Sequence, residues 1–314
     1  MTRGSKIKLS LILIASGCVI MLLIVLSPTP KEERIFDDIV PLAAGEYEVQ
    51  GIADFTGADV DISVSDGIIV KADFSFTNHG LVKIDVICPR EESFYISLLR
   101  DDDENGVQRS EGYYDKKLKP YGSSGVFSLT QGSGEYELCV WLKKNRVDET
   151  RSNYRMVYRK CFTADFPEEA PYMYSNANSV FEKDSLAAAY ANALTRDADT
   201  DMKKAQAIIA FVHDRVSYDS DISLDEEVFM TADEILSGGK GLCYHSAGLA
   251  VSMLKSVGIP AKEVRGTYVL LIGRHAWCEV FINNEWLTAD PTCYSTFPLN
   301  SFLYRADEFS NPYN

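Results

Sequence analysis

Two patterns of hydrophobic and polar residues divide most of the chain. From about residue 35 to 165, apolar and polar positions alternate with period two, as in 59–64 and 81–87. This alternation is typical of strands that bury one face. Because glycines separate the strands at short intervals, residues 35–165 are predicted to form an all-β, sandwich-like domain.

After residue 165 the spacing of apolar positions becomes helical. The pattern predicts helices over 184–194, 201–216, 231–236 and 241–257, and the last of them ends at Gly258 and Pro260. A β segment over 263–272 and a hairpin over 275–291 follow. Helices followed by an antiparallel sheet indicate an α+β fold, so residues 166–314 are predicted to form a second domain.

The hairpin brings two chemically important residues to one face. Asn283 and Asn284 form a good two-residue turn. With that turn, Trp277 lies opposite Asp290, and His275 is the diagonal neighbour of Asp290. Diagonal neighbours are ~7–8 Å apart at the backbone, which is within reach of a hydrogen bond between the imidazole and the carboxylate.

Cys243 lies where the helix over 241–257 begins, directly after the glycine-rich stretch 238–241. A helix N-terminus favours negative charge, and the thiolate is the reactive form of cysteine. A cysteine nucleophile, a histidine base and a carboxylate that orients the base make up a catalytic triad. The predicted triad is therefore Cys243, His275 and Asp290.

Short motifs occur in a characteristic order in this part of the chain: Gly241-Leu242-Cys243, Gly258-Ile259-Pro260-Ala261, His275-Ala276-Trp277, Trp286 and Asp290-Pro291-Thr292. Over about 195–310 the sequence resembles the transglutaminase-like superfamily, in the form common in bacterial secreted and membrane proteins. The resemblance implies a papain-like α+β core in which Cys243 is the nucleophile, His275 the base and Asp290 its orienting partner. It implies no cofactor and no metal.

Three functional hypotheses follow from this resemblance. The first is a cysteine peptidase or amidase that forms a thioester intermediate and acts on protein or cell-wall peptide. The second is a transamidase that transfers the acyl group to a lysine amine and crosslinks proteins. The third is a non-catalytic adhesion or scaffold protein. Hydrolysis is favoured, because water is abundant and the resemblance is to the broad bacterial group.

The N-terminus is predicted to anchor the chain in a membrane. Residues 1–8 form a basic tail, 9–27 an apolar span and 28–34 a linker. The apolar stretch reaches roughly 27 Å as a helix, and basic residues before it place the N-terminus in the cytoplasm. The rest of the chain is then extracytoplasmic. A cleaved signal peptide and a lipoprotein modified at Cys18 are the alternatives.

The formal net charge of -15 argues against nucleic-acid binding, which needs a basic face. The seven cysteines leave at least one thiol unpaired. Cys139 and Cys161 are expected near each other in a hairpin, either as a disulfide or as two thiols. Cys293 is expected to be free or paired with another cysteine.

Several other polar or aromatic residues receive structural interpretations. His245 is expected to be structural or at the rim of the site, His213 to pack or face solvent, and Cys278 to lie in the core. Trp277 has two interpretations, as a wall of the cleft or as core packing. For the acidic stretch 197–201, a helix N-cap is favoured over a calcium site, since the glycine and terminal glutamate of an EF-hand loop are missing.

Overall fold

The computed structural model describes residues 39–43, 45–89, 93–100, 109–111, 116–117, 123–146, 152–177, 179–219, 221, 230–269 and 274–306. The predicted basic tail, membrane span and linker lie outside these residues. Within the described part of the chain, no helix has the length and apolar character needed to cross a membrane.

The first region is built from strands, as its alternating pattern predicts. They are β1 (Val60–Ser65), β2 (Ile68–Asp73), β3 (Leu81–Ile87), β4 (Ser93–Arg100), β5 (Arg109–Glu111), β6 (Lys116–Lys117), β7 (Ser123–Ser128), β8 (Gly134–Arg146) and β9 (Ser152–Ala164). One antiparallel sheet has the order β1-β2-β3-β7, and the other has the order β5-β4-β8-β9 with β6 beside β4. Apolar side chains from both sheets, such as Ile84 and Leu138, share one core.

The second region places four helices against a small antiparallel sheet. The helices are α1 (Leu186–Thr195), α2 (Asp201–Arg215), α3 (Ala232–Gly238) and α4 (Cys243–Ser256), and the sheet strands are β12 (Ala261–Tyr268), β13 (Arg274–Ile282), β14 (Glu285–Ala289) and β15 (Tyr304–Ala306). The sheet order is β14-β13-β12-β15, and the short strands β10 (Ser217–Tyr218) and β11 (Lys240–Gly241) pair in parallel near the start of α4. This is the predicted order of helices followed by sheet.

Helix α4 is the central element of this second region. From His245 onward almost every residue of α4 is buried, and α1, α2, α3 and β13 all pack around it. A helix that is buried on all sides belongs to the core rather than to the surface. Its first residue, Cys243, is only partly buried, so the helix leads from the core to the site.

The hairpin has the register that its turn residues predict. Ile282 pairs with Glu285 and Cys278 with Ala289. Asn283 and Asn284 have φ values of 55° and 63°, the positive angles that a type I′ turn requires. This turn therefore determines which residues of β13 and β14 share a face of the hairpin.

The expected proximity of Cys139 and Cys161 is only partly met, and no disulfide joins them. Cys161 pairs with Glu137 across the ladder and Cys139 pairs with Arg159, so the two cysteines are offset diagonally. Both thiols are free, and each donates to the Glu137 carboxylate. Because Arg146 pairs with Ser152 near the turn end of the ladder, Cys139 falls opposite Arg159, two residues from Cys161.

The two regions contact each other through polar and aromatic groups. Tyr172 meets the Trp286 ring edge-on at 5.2 Å. At the end of α4, the fully buried Lys255 donates from Nζ to Ser179 Oγ at 2.8 Å. Burial lowers the pKa of Lys255 to about 7. The C-terminal end of the helix that carries Cys243 is thus held against the segment leading from the β region.

Candidate active site

Cys243 is the first residue of α4 and follows an extended residue, Leu242. The backbone N–H of Leu242 donates to Nδ1 of His245 at 3.0 Å, which closes the first turn. A Cβ atom at Gly241 would lie only 2.7 Å from the His245 side chain, so a glycine is needed there. The free N–H groups at this helix start surround the thiol with partial positive charge.

His275 and Asp290 form a buried pair opposite this helix start. Nε2 of His275 lies 2.8 Å from Oδ2 of Asp290, and the two side chains are 3% and 0% exposed. Oδ1 of Asp290 accepts from the backbone N–H groups of Thr292 and Cys293 at 3.1 and 3.2 Å. The hydroxyl of Tyr304 donates to Oδ2 at 3.0 Å. With four donors, the carboxylate is fixed in position and presents His275 in one orientation.

The His275 imidazole is also coupled to two thiols. Burial alone would lower the pKa of His275, but hydrogen bonds with Asp290 and with the thiols of Cys243 and Cys293 outweigh it and raise the pKa well above its ordinary value. A protonated imidazole beside Cys243 is the partner that a thiolate requires. The structure therefore brings together the three residues that the sequence predicts, Cys243, His275 and Asp290.

Residues 188–291 match the model of the Transglutaminase-like superfamily. This part of the chain is similar to the transglutaminase-like superfamily. The matched range contains the helix start at Cys243 and both members of the buried pair, and it ends one residue after Asp290. The family resemblance inferred from the short motifs is confirmed.

Solved structures similar to this chain include a proposed protease and a transglutaminase. A proposed cysteine protease from Cytophaga hutchinsonii is 14% identical, with a TM-score of 0.37, over 67% of this chain and 79% of that one. Red sea bream transglutaminase is 11% identical, with a TM-score of 0.29, over 69% of this chain and 49% of that one. The periplasmic domain of TgpA from Pseudomonas aeruginosa is 16% identical, with a TM-score of 0.31, over 76% and 75%. No curated protein sequence matches the chain.

Tyrosines form one wall of the transglutaminase-like site. The rings of Tyr268 and Tyr304 stack with centroids 4.7 Å apart, and the hydroxyls of Tyr268 and Tyr294 lie 2.5 Å apart. The Tyr268 ring lies 5.9 Å from the His275 ring. This wall removes the His275–Asp290 pair from water on one side, which strengthens their electrostatic interaction.

A close approach of strands makes this wall possible. At Gly266 of β12, a Cβ atom would lie 2.0 Å from the Arg305 carbonyl oxygen and 2.8 Å from the Trp277 ring. Only a glycine therefore lets β15 and Trp277 pack here. Trp277 is 1% exposed, so it packs in the core and does not form a solvent-facing wall of the cleft.

The remaining candidates have structural roles that match their sequence interpretations. His245 is buried and caps the start of α4, Cys278 is fully buried with its thiol on the Ala247 carbonyl, and Thr200 caps α2. The Nδ1–H of His213 donates to the Pro291 carbonyl at 3.1 Å. That bond supports the segment immediately after Asp290.

Three residues near the site were not predicted from the sequence. Tyr304 contacts Asp290 because β15 returns to the edge of the sheet. Tyr218 lies near Cys243, and burial together with negative charge on the Cys243 sulfur raises the pKa of Tyr218. Cys293, which the sequence left free or paired, is a free thiol beside His275. Burial raises the pKa of Cys293, with the hydrogen bond from His275 opposing it. The spacing of Asp290 and Cys293, with both in one turn, was the available signal for this last residue.

Proposed function

We propose that this protein is a cysteine-nucleophile acyl transferase that cleaves amide bonds, acting as a peptidase or amidase on protein or cell-wall peptide. The observation that supports the proposal best is the convergence of Cys243, at a helix start, with the buried His275–Asp290 pair. Each element has a defined part in acyl transfer: a thiolate, an acid–base group and the carboxylate that orients it.

In the proposed first step, the Cys243 thiolate attacks the amide carbon and forms a C–S bond, while the carbonyl electrons move to oxygen. Backbone N–H groups at the start of α4 stabilise that oxyanion. The His275 imidazolium then gives its proton to the amide nitrogen, and the amine leaves. A thioester on Cys243 and a neutral imidazole remain.

In the second step, His275 accepts a proton from water as the water oxygen attacks the thioester. The C–S bond breaks, the acid is released, and the thiolate–imidazolium pair forms again. Asp290 stays ionised and keeps Nε2 of His275 protonated throughout, so the other ring nitrogen exchanges the proton. An amine in place of water would give transamidation by the same steps.

We further propose that residues 9–27 anchor the protein in a membrane with the catalytic domain outside the cytoplasm. The apolar stretch and its preceding basic residues support this placement. Protease added to intact cells should digest the domain if it is outside and spare it if it is cytoplasmic. Carbonate extraction should leave the full chain in the membrane fraction.

The decisive activity test is a peptide-library cleavage assay with the full-length protein, using Cys243→Ala as the inactive control. The proposal expects release of new amino groups that depends on Cys243. Adding a labelled primary amine to the same assay separates the two outcomes of the thioester, since transamidation would incorporate the amine without releasing acid. Absence of both products across protein and cell-wall peptide libraries would favour a non-catalytic role.

A further inference from the structure

Three different metal-binding side chains converge at the base of the active site. The ligand atoms of His275, Asp290 and Cys293 all lie within 4.8 Å of one another. The proposed acyl transfer uses His275 and Asp290 but gives Cys293 no part. The cluster therefore contains a second thiol that the reaction does not explain.

The spacing of these atoms fits a small tetrahedral ion. Zinc binds imidazole nitrogen and carboxylate oxygen at about 2.0–2.2 Å and thiolate sulfur at about 2.3 Å, so tetrahedral ligand atoms lie about 3.3–3.7 Å apart. Nε2 of His275 and Oδ2 of Asp290 are now 2.8 Å apart. An increase of at least about 0.5 Å in the distance between these two atoms, with a rotation of the Cys293 side chain, would admit the ion.

The surroundings already provide the outer contacts that metal ligands need. Backbone N–H groups of Thr292 and Cys293 hold one oxygen of Asp290, and the Tyr304 hydroxyl bonds the other. Such outer contacts orient first ligands and strengthen metal binding. Cys293 is only partly buried, which gives an ion a route of entry.

The mixture of donor atoms selects the metal. Calcium and magnesium prefer all-oxygen sites, whereas a set of one nitrogen, one oxygen and one sulfur suits zinc. Three protein ligands leave a fourth position open on the ion, and the Cys243 thiol hydrogen-bonds to the same imidazole. An ion here would replace the hydrogen bond between Nε2 of His275 and Asp290, which orients the acid–base group.

We propose that Zn²⁺ binds to His275, Asp290 and Cys293 and switches the active site off. Binding replaces the Cys293 S–H bond with a Zn–S bond and takes a ring nitrogen of His275, and the displaced protons pass to solvent. The inhibitory part rests on the proposed function. The binding part does not, because it requires only the three ligands.

Cobalt is the probe that reports the site directly. Full-length protein, freed of metal with a chelator, is titrated with Co²⁺ while the thiolate-to-cobalt absorption band is recorded, and Zn²⁺ is then added to displace it. Wild type and Cys161→Ser, which removes an exposed thiol far from the site, should both bind Co²⁺ with this band. Cys293→Ser should lose the band and bind Zn²⁺ at least about tenfold more weakly, as measured by competition with a chromophoric chelator.

Two results would overturn the proposal. One is a wild-type protein that shows no thiolate band, and the other is a Cys293→Ser variant with the band and Zn²⁺ affinity of wild type. A rise in melting temperature with Zn²⁺ that disappears in Cys293→Ser but not in Cys293→His would confirm that the variants fold and that a ligand is needed at this position.

Cys243 labelling measured with and without Zn²⁺ tests the inhibitory part. A Cys243 that is unreactive even without metal would reject the enzyme proposal and leave the metal result standing.

Discussion

The β region and the transglutaminase-like region each have an apolar core, but they differ in what else they bury. Among the described residues of the β region, Asp73 is the one buried ionisable side chain outside tyrosine and cysteine. The described residues of the second region include five such groups: His245, Lys255, Glu263, His275 and Asp290. Buried ionisable groups cost free energy unless they are paired, so their concentration in one region indicates where the chemistry lies.

The largest contrast is expected from removing one aspartate in each region. Asp290→Ala leaves the buried His275 without its partner, so the free energy of unfolding should fall by about 3–5 kcal/mol. The rate of Cys243 alkylation by iodoacetamide should fall at least about tenfold, because the imidazole loses its orientation. Chemical denaturation and mass-spectrometric labelling provide the two measurements.

Asp73→Ala is the matched control for that variant. The Asp73 carboxylate accepts one hydrogen bond from the Ser75 backbone, so the expected loss of stability is about 1 kcal/mol, with no change in Cys243 labelling. If both variants changed labelling equally, the assignment of chemistry to the second region would be wrong.

Core truncations should separate stability from reactivity. Leu138 in β8 and Leu249 in α4 are both fully buried, so each change to alanine should cost about 2–5 kcal/mol. Leu249, unlike Leu138, lies on the helix that positions Cys243. Only Leu249→Ala should therefore slow the labelling of Cys243 under native conditions. Equal labelling rates in the two variants would show that the position of α4 does not control the thiol.

Lys255 should make stability depend on pH in a defined window. Its pKa is about 7 in the folded protein and 10.5 in the unfolded chain, so the unfolded state binds more protons between these values. Stability therefore rises with pH across that window by up to about 1.4 kcal/mol per pH unit, and does not change on this account below it. The unfolding free energy of wild type, minus that of Lys255→Met, should therefore increase with pH from about 7. A constant difference would contradict the burial effect.

The smallest effect is expected at the tyrosine wall. Tyr304→Phe removes one of four hydrogen bonds to Asp290 and keeps the ring stacked on Tyr268, so the loss should be about 1 kcal/mol. Labelling of Cys243 should slow only several-fold. Tyr154→Phe, on an exposed ring of the β region, should have no effect on either quantity.

Local patterns predicted the parts of the fold that depend on neighbouring residues. Helices α2 and α4 begin and end within two residues of their predicted limits, and the Asn283–Asn284 turn defined the register that links His275 to Asp290. Turn chemistry and helical periodicity are local, so a sequence contains them directly.

Contacts between distant segments could not be predicted in the same way. Tyr304 reaches Asp290 only because β15 pairs with β12, and Cys293 reaches His275 only because the chain turns back after Asp290. The offset of Cys139 from Cys161 depends on the register of the β8–β9 ladder, in which Arg146 pairs with Ser152. None of these arrangements follows from periodicity, because each depends on how separate elements pack.

The central claim, that His275 and the start of α4 make Cys243 reactive at neutral pH, is tested most directly by the rate of its alkylation at different pH values. Because the pKa of His275 is raised, the imidazolium beside the thiol persists across neutral pH, and the rate should exceed that of a model peptide between about pH 6 and 8. An ordinary thiol with a pKa near ~8.5 should react about tenfold faster for each pH unit over the same range. A Cys243 rate that is no faster than a model peptide at pH 7, and that climbs with pH in the same way, would contradict the account.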